Sequence, residues 1–284
     1  MTSAEHPADL PGADLPRADR PRAEVGVIGG SGLYALLHDA HEVDVDTPYG
    51  RPSDRLVVGE VAGRAVAFVP RHGVDHRLPP HRIPYRANLW ALRSLGVGQV
   101  LAPCAVGGLR PELGPGSLVV PDQLVDRTSG RAQTYWEEGA VHVPFAEPYC
   151  ADGRAVAVER ARDAGWPVTD GGTMVVVEGP RFSTRAESQW FAAQGWSLVN
   201  MTGHPEAVLA RELALCYTAI ALVTDLDAGV EGAHVTQEEV FRVFGENTAR
   251  LRSLLLDVVA ALPAERRCAC GWALAGTAAA DRLP

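Results

Sequence analysis

The chain has 284 residues, of which 46% are hydrophobic and 21% charged, with a net charge of −9 at pH 7. That composition suits a soluble globular fold with a sizeable core. No apolar run approaches the roughly 18–20 residues that span a bilayer, no apolar leader opens the sequence, and no basic block marks a nucleic-acid surface, so a cytoplasmic protein without membrane or nucleic-acid partners is expected.

Residues 1–24, MTSAEHPADLPGADLPRADRPRAE, are dominated by Pro, Ala, Asp and Arg and contain a crude ADLPGADLPRAD repeat. Such a segment buries too little apolar surface to offset its ordering entropy and reads as a disordered tail. The fold is expected to begin at Val25. VGVIGG (25–30) is a short apolar strand stopped by glycine. RLVVGEV and AVAFVP (55–70) form a hairpin with Ala-Gly at its turn. Residues 84–95 carry Leu89, Trp90, Leu92 and Leu95 on helical spacing, ended by Gly96. QVLAPCAVGG (99–108) and SLVVPDQLVD (117–126) are further strands, and residues 152–164 a helix. TMVVVEGP (173–180), SLVNMTG (197–203) and YTAIALVTDLD (217–227) are strands, separated by the helices RAESQWFAAQG and PEAVLARELA. A long helix spans Thr236 to Leu262, and its opening Thr-Gln-Glu-Glu matches a capping box. Residues 263–284 read as a C-terminal tail. Apolar strands alternating with helices indicate an α/β sheet covered on both faces.

Five cysteines, Cys104, Cys150, Cys216, Cys268 and Cys270, are irregularly spaced, which suggests reduced thiols. Only Cys268-Ala-Cys270 forms a close pair. A metal site normally needs a second pair or nearby histidines. None follows in sequence, so the pair reads as structural or incidental and no metal is expected.

In α/β sheets ligands collect at strand ends, and five strand ends here carry unusual chemistry. GGSG (29–32) combines glycines that admit an anion with the Ser31 hydroxyl. It is neither a Walker A loop nor G-x-G-x-x-G, and a plain tight turn is the alternative. RHG (71–73) offers Arg71 for bidentate oxyanion contact and His72 as a donor, or is a surface loop. PCAVGG (103–108) is a second glycine-rich end. NMTG (200–203) brings Met201 and the Thr202 hydroxyl, although Met more often fills cores. IALVTDLDAG (220–229) ends in Asp225 and Asp227, which fit either a solvated turn or a base-recognition site with Phe182. Together these ends suit free phosphate plus a nitrogen base better than a metal–nucleoside triphosphate.

VGVIGGSGLY, DTPYGRPSD, RHG, PYRANLWAL, DQLVDRTSGR, HVPFAEPYC, EGPRFSTRAES, NMTGHPEAVLA and ALVTDLDAG occur in the order found in the methylthioadenosine phosphorylases, the trimeric branch of the purine nucleoside phosphorylases. The chain resembles that family over about residues 25–262. The resemblance implies a single-domain α/β fold, a mixed sheet with a distorted central barrel flanked by helices, assembled as a homotrimer. It implies phosphorolysis of a purine nucleoside, S-methyl-5′-thioadenosine foremost, with inorganic phosphate as co-substrate and no cofactor. Its phosphate positions fall on Ser31, Arg71, His72, Cys104, Ala105 and Thr202. Cys104 stands where animal relatives carry threonine, which removes a hydroxyl contact. Met201 falls beneath the ribose, Phe182 against the purine, and His142 beside the 5′ group from across a subunit interface.

Breaking the glycosidic bond leaves negative charge on the purine and cationic character on the sugar. A phosphate dianion helps the sugar, and a protonated acid at N7 helps the base. Burial beside a like charge raises a carboxyl pKa, so Asp225 and Asp227 are the catalytic pair, one holding a proton for N7 and the other accepting from a 6-amino group. Thr184 and Gln237 differ from the animal enzymes and are candidate specificity positions. The alternatives are 6-oxopurine nucleosides (inosine, guanosine, methylthioinosine), a 5′-halo-5′-deoxyadenosine, or a module that binds phosphate without chemistry.

Overall fold

The computed structural model describes residues 22–30, 37–232 and 235–284. Ser31 and most of the expected N-terminal tail lie outside these residues. The described part of that segment already belongs to the fold: Ala23 is buried, and its N–H donates to Leu95 O at 2.9 Å.

Among the described residues eleven strands form one mixed sheet: β1 Val25–Gly29, β2 His38–Val43, β3 Leu56–Val61, β4 Arg64–Pro70, β5 Gln99–Gly108, β6 Leu118–Val120, β7 Gln123–Arg127, β8 Val168–Asp170, β9 Thr173–Val177, β10 Leu198–Asn200 and β11 Cys216–Leu226. The α-helices described with them are α1 Tyr85–Ser94, α2 Ala151–Asp163, α3 Arg185–Ala193, α4 Gly203–Glu212 and α5 Gln237–Ala261. This is the single mixed sheet with flanking helices that the sequence implied. Strands β2 and β8 were not legible from its pattern.

The sheet runs β2-β3-β4-β1-β5-β10-β9-β7 and forks at β5. The first three residues of β5 pair in parallel with β1, its last two residues pair antiparallel with β10, and its whole length pairs in parallel with β11. Strand β11 leads in turn to β6, and β6 to β8. The ends of β1, β4, β5, β10 and β11 are thereby brought onto neighbouring strands.

The central strands are buried almost throughout, their side chains alternating between two covered faces. On one face Val100, Ala102 and Tyr217 pack with Leu89 and Leu92 of α1 and Leu209 of α4. On the other, Leu101, Ile220 and Leu222 pack with Val158 of α2 and Leu254, Leu255 and Val258 of α5. The predicted 117–126 strand is instead two, because Pro121 has no N–H to continue the ladder. Strand β6 pairs with β11 and β8, whereas β7 pairs with β9. The β3–β4 hairpin turns at Ala62-Gly63 as expected, with both residues at positive φ, the conformation a two-residue turn needs to match strand twist.

The expected cap of α5 is half formed. The Thr236 hydroxyl accepts from Glu239 N, but the Glu239 carboxylate turns to Arg242. A complete capping box opens α3 instead, with Thr184 and Glu187 as reciprocal partners. Residues 263–284 pack onto the domain: Cys270, Leu274 and Ala279 are buried, and Arg266 donates to the carbonyls of Gly98 and Ala214.

Candidate active site

Two buried side chains hold the gathered strand ends together. Arg71 follows β4 directly, and its N–H donates to Gly29 O at the end of β1. Its guanidinium grips Glu206 of α4 through Nε and Nη2 at 2.8 and 3.0 Å and donates to Pro103 O on β5 and Ile28 O on β1. Asn200, the last residue of β10, donates to Ala105 O on β5 and accepts from the N–H groups of Thr202 and Gly203. Expected phosphate positions Arg71, Cys104, Ala105 and Thr202 are therefore on neighbouring strand ends.

Their individual roles differ from the sequence reading. The Arg71 fork, expected to clasp an oxyanion, is closed on Glu206; among the described residues only one of its five N–H groups is left. Burial opposes the Arg71 charge, but Glu206 outweighs it and raises the guanidinium pKa. Tyr217 adds its hydroxyl to Glu206 at 2.7 Å. The His72 ring, expected as a donor, is committed through Nδ1 to Leu78 O at 2.8 Å. Burial lowers its pKa to about 4, so near neutrality the ring is uncharged. A carbonyl can only accept, which places the single ring proton on Nδ1 and leaves Nε2 an acceptor. Cys104 is a neutral thiol, its pKa pushed up to about 12 by burial. Among the described residues the Thr202 hydroxyl makes only a long contact, 3.5 Å, to Asn200 Oδ1.

Asp225 and Asp227 lie at the far end of β11, one residue apart and therefore on one face of the strand. Both are buried. A Cβ placed on Gly107 of β5 would stand 3.1 Å from Asp225 Oδ2 and 3.4 Å from Asp227 Oδ1, so both carboxylates converge over that glycine. Asp225 Oδ1 accepts from the Thr224 hydroxyl at 2.8 Å. Burial raises the Asp225 pKa to about 6 despite that bond, with the Asp227 charge a smaller contribution. Desolvation, more than the mutual repulsion stressed by the sequence reading, poises the acid. Burial also raises Asp227, opposed by Ser188 and Ser183. Yet among the described residues neither serine hydroxyl nor Asp227 Oδ2 makes a well-aligned hydrogen bond.

Phe182 precedes Ser183 and stands at the surface, 36% exposed. Met201 is half-buried. A Cβ on Gly179 would stand 2.6 Å from Met201 Sδ, so Met201 lies against the loop that leads to Phe182. Thr184 is occupied as the α3 cap, and Gln237 is exposed in the first turn of α5. His142 is exposed in the segment between β7 and α2; among the described residues it makes no hydrogen bond or ring contact with the other site residues.

Glu206, Asn200 and Arg131 join the site without having been candidates on sequence pattern. The first two lay inside the NMTGHPE stretch already noticed. Arg131, buried and paired with Glu178, donates to Met201 O and His204 O and so fixes the Met201 segment from behind.

Residues 24–260 match the family model described as the phosphorylase superfamily. A purine nucleoside phosphorylase of Streptomyces coelicolor is 64% identical over 273 residues, covering 92% of this chain and 98% of the relative. An S-methyl-5′-thioadenosine phosphorylase of Mycolicibacterium smegmatis is 61% identical, covering 86% and 93%. Among solved structures, a methylthioadenosine phosphorylase from an antarctic soil metagenomic library superposes with a TM-score of 0.86 at 38% identity, covering 91% and 93%. The Schistosoma mansoni methylthioadenosine phosphorylase in complex with adenine gives 0.82 at 39%, covering 86% and 93%.

Proposed function

From the premise that this chain belongs to the phosphorylase superfamily, we propose that it catalyses phosphorolysis of a 6-aminopurine nucleoside, S-methyl-5′-thioadenosine foremost. The observation that carries this reading is the pair of buried carboxylates over Gly107, one poised near pH 6 and the other with an oxygen that lacks an aligned donor among the described residues.

Phosphate attacks C1′ of the sugar as the C1′–N9 bond breaks and its electron pair passes to the purine. Asp225, protonated in a fraction of molecules near neutrality, gives its proton to N7. Asp227 Oδ2 accepts from the 6-amino group, which supplies the missing donor. The products are adenine and 5-methylthioribose 1-phosphate. The phosphate lies among Ser31, the one spare Arg71 N–H, the His72 backbone amide, Cys104, Ala105 and the Thr202 hydroxyl. Phe182 covers the purine and Met201 the ribose. His142 closes the 5′ end from a neighbouring subunit of a cytoplasmic homotrimer. No cofactor enters the reaction.

Discrimination against a 6-oxopurine follows from the same oxygen. A 6-oxo group would set its lone pair against Asp227 and leave the buried acceptor unpaired, the kind of mismatch that makes rejection strong. The 64% identity to a relative named purine nucleoside phosphorylase supports a second reading, with inosine or methylthioinosine as substrate. The deciding experiment measures base release from methylthioadenosine, adenosine, inosine and methylthioinosine, each with and without phosphate. Phosphate-dependent release, fastest from methylthioadenosine, is expected. Release at equal rates without phosphate would refute phosphorolysis, and faster release from methylthioinosine would refute the 6-amino assignment.

A further inference from the structure

The fold brings four of the five cysteines together far from the acid pair. Cys150 immediately precedes α2, Cys216 opens β11, and Cys268 and Cys270 belong to the short turn near residue 270. Their four Sγ atoms all lie within 4.8 Å of one another. The second pair that the sequence appeared to lack is therefore supplied by residues over a hundred and over fifty positions upstream, which no local spacing could reveal.

We propose that Cys150, Cys216, Cys268 and Cys270 bind one zinc ion that fastens the C-terminal segment to the phosphorylase domain. A tetrahedral ion with Zn–S bonds of about 2.3 Å places its sulfurs roughly 3.8 Å apart. The cluster spans this spacing, and the Cys216–Cys268 pair, at 3.2 Å, has to open by only about half an ångström to meet it. All four cysteines are free thiols, and three are buried.

A packing role explains the arrangement less well. Buried cysteine can act as a small hydrophobe, but among the described residues the apolar cluster here consists of Cys150, Cys216 and Cys270 with Cys268 against it, joined by no aliphatic side chain. Two of the ligands are held by the sheet framework: Cys150 N–H donates to Tyr217 O at 2.8 Å and Cys216 N–H to Gly98 O at 3.0 Å. Four thiolates around a divalent ion carry a net double negative charge, and the buried Arg211 lies within electrostatic reach of Cys270.

Four protein sulfurs close the coordination shell, which is the pattern of a structural rather than a catalytic zinc. Position agrees. Cys216 and Asp225 stand toward opposite ends of β11, roughly 30 Å apart at about 3.3 Å per residue. The family match ends at residue 260, whereas Cys268 and Cys270 lie beyond it. Binding would displace the thiol protons, so loading strengthens as pH rises.

The test uses the full chain, purified without chelator after growth with zinc. Elemental analysis is expected to find one zinc ion per chain. Anaerobic exchange for Co²⁺ should give the intense sulfur-to-cobalt charge-transfer and visible bands of a tetrahedral thiolate site. The double variant Cys268→Ser/Cys270→Ser should lose the metal and melt at lower temperature, with turnover of the nucleoside at low temperature unchanged. Reduced wild-type protein that takes up neither Zn²⁺ nor Co²⁺ anaerobically would overturn the proposal, whether or not the variant folds. Disulfides among these cysteines in place of metal, found by non-reducing peptide mapping of the zinc-grown protein, would overturn it as well.

Discussion

Gly107 and Asp225 approach so closely that a methyl group on the glycine would stand 3.1 Å from the Asp225 Oδ2 atom. The same methyl would lie 3.4 Å from Asp227 Oδ1. Gly107→Ala should therefore push the two acids apart with little disturbance of the strand, because Gly107 has no positive φ to preserve. A full ångström of misplacement costs on the order of 10²-fold in rate, and the few tenths of an ångström required here should cost up to about tenfold. The expected result is that loss in kcat/KM for methylthioadenosine with an unchanged far-ultraviolet circular dichroism spectrum. A fully active, fully folded Gly107→Ala enzyme would show that the acids do not meet the base in this geometry.

Asp225 trades stability for chemistry. Burial raises its pKa from the ordinary 3.8 to about 6, so between those values the folded chain binds more protons than the unfolded one. Stability from this group is consequently lost as pH rises from about 4 to about 6. The full difference is about 3 kcal/mol. Asp225→Asn removes that penalty and should raise Tm at neutral pH, less so near pH 4, while lowering kcat roughly 10²–10⁴-fold. The wild-type kcat/KM should fall as pH rises through about 6, a limb the variant lacks. A variant that melts below wild type at both pH values would contradict the burial argument.

The contrast between Asp225 and Arg71 explains how much of this molecule was legible in its sequence. Asp225 and Asp227 end an apolar run, so their spacing alone placed them on one face at a strand end. Strand identity was similarly plain wherever apolar residues ran unbroken, as in β1, β5 and β11. Arg71 was recognised as a site residue, but its partner Glu206 lies 135 positions away, and no pattern along the chain pairs them. The thiol cluster was hidden for the same reason. Strand β2, HDAHEV, was hidden for another: its polar composition gives no apolar signal, and pairing with β3 alone makes it a strand.

Glu206 neutralises Arg71 in the interior, so removing one partner should be far worse than removing both. Glu206→Gln leaves a buried guanidinium without its counter-charge, at an expected cost of about 3–5 kcal/mol. The double variant Arg71→Met/Glu206→Leu replaces the pair with apolar side chains of similar size and should recover part of that loss. Urea midpoints of the single and double variants measure both. A single variant as stable as wild type would mean that the pair is not charged in the folded protein.

Thr184 was a candidate for selecting between purines, but its surroundings assign it to α3. Its hydroxyl accepts from Glu187 N at 3.2 Å, its own N–H donates to Glu187 Oε2 at 2.7 Å, and Arg181 holds both Glu187 oxygens. Thr184→Ala should cost about 1 kcal/mol through the lost cap, and Thr184→Ser much less. Ser183, one residue earlier, opposes the rise of the Asp227 pKa without an aligned hydrogen bond to it among the described residues, and is the better site for selectivity. Ser183→Ala should alter the ratio of kcat/KM for methylthioadenosine over methylthioinosine more than Thr184→Ala does, with little change in Tm. The reverse ranking, a large selectivity change at Thr184 without loss of stability, would return the specificity role to Thr184.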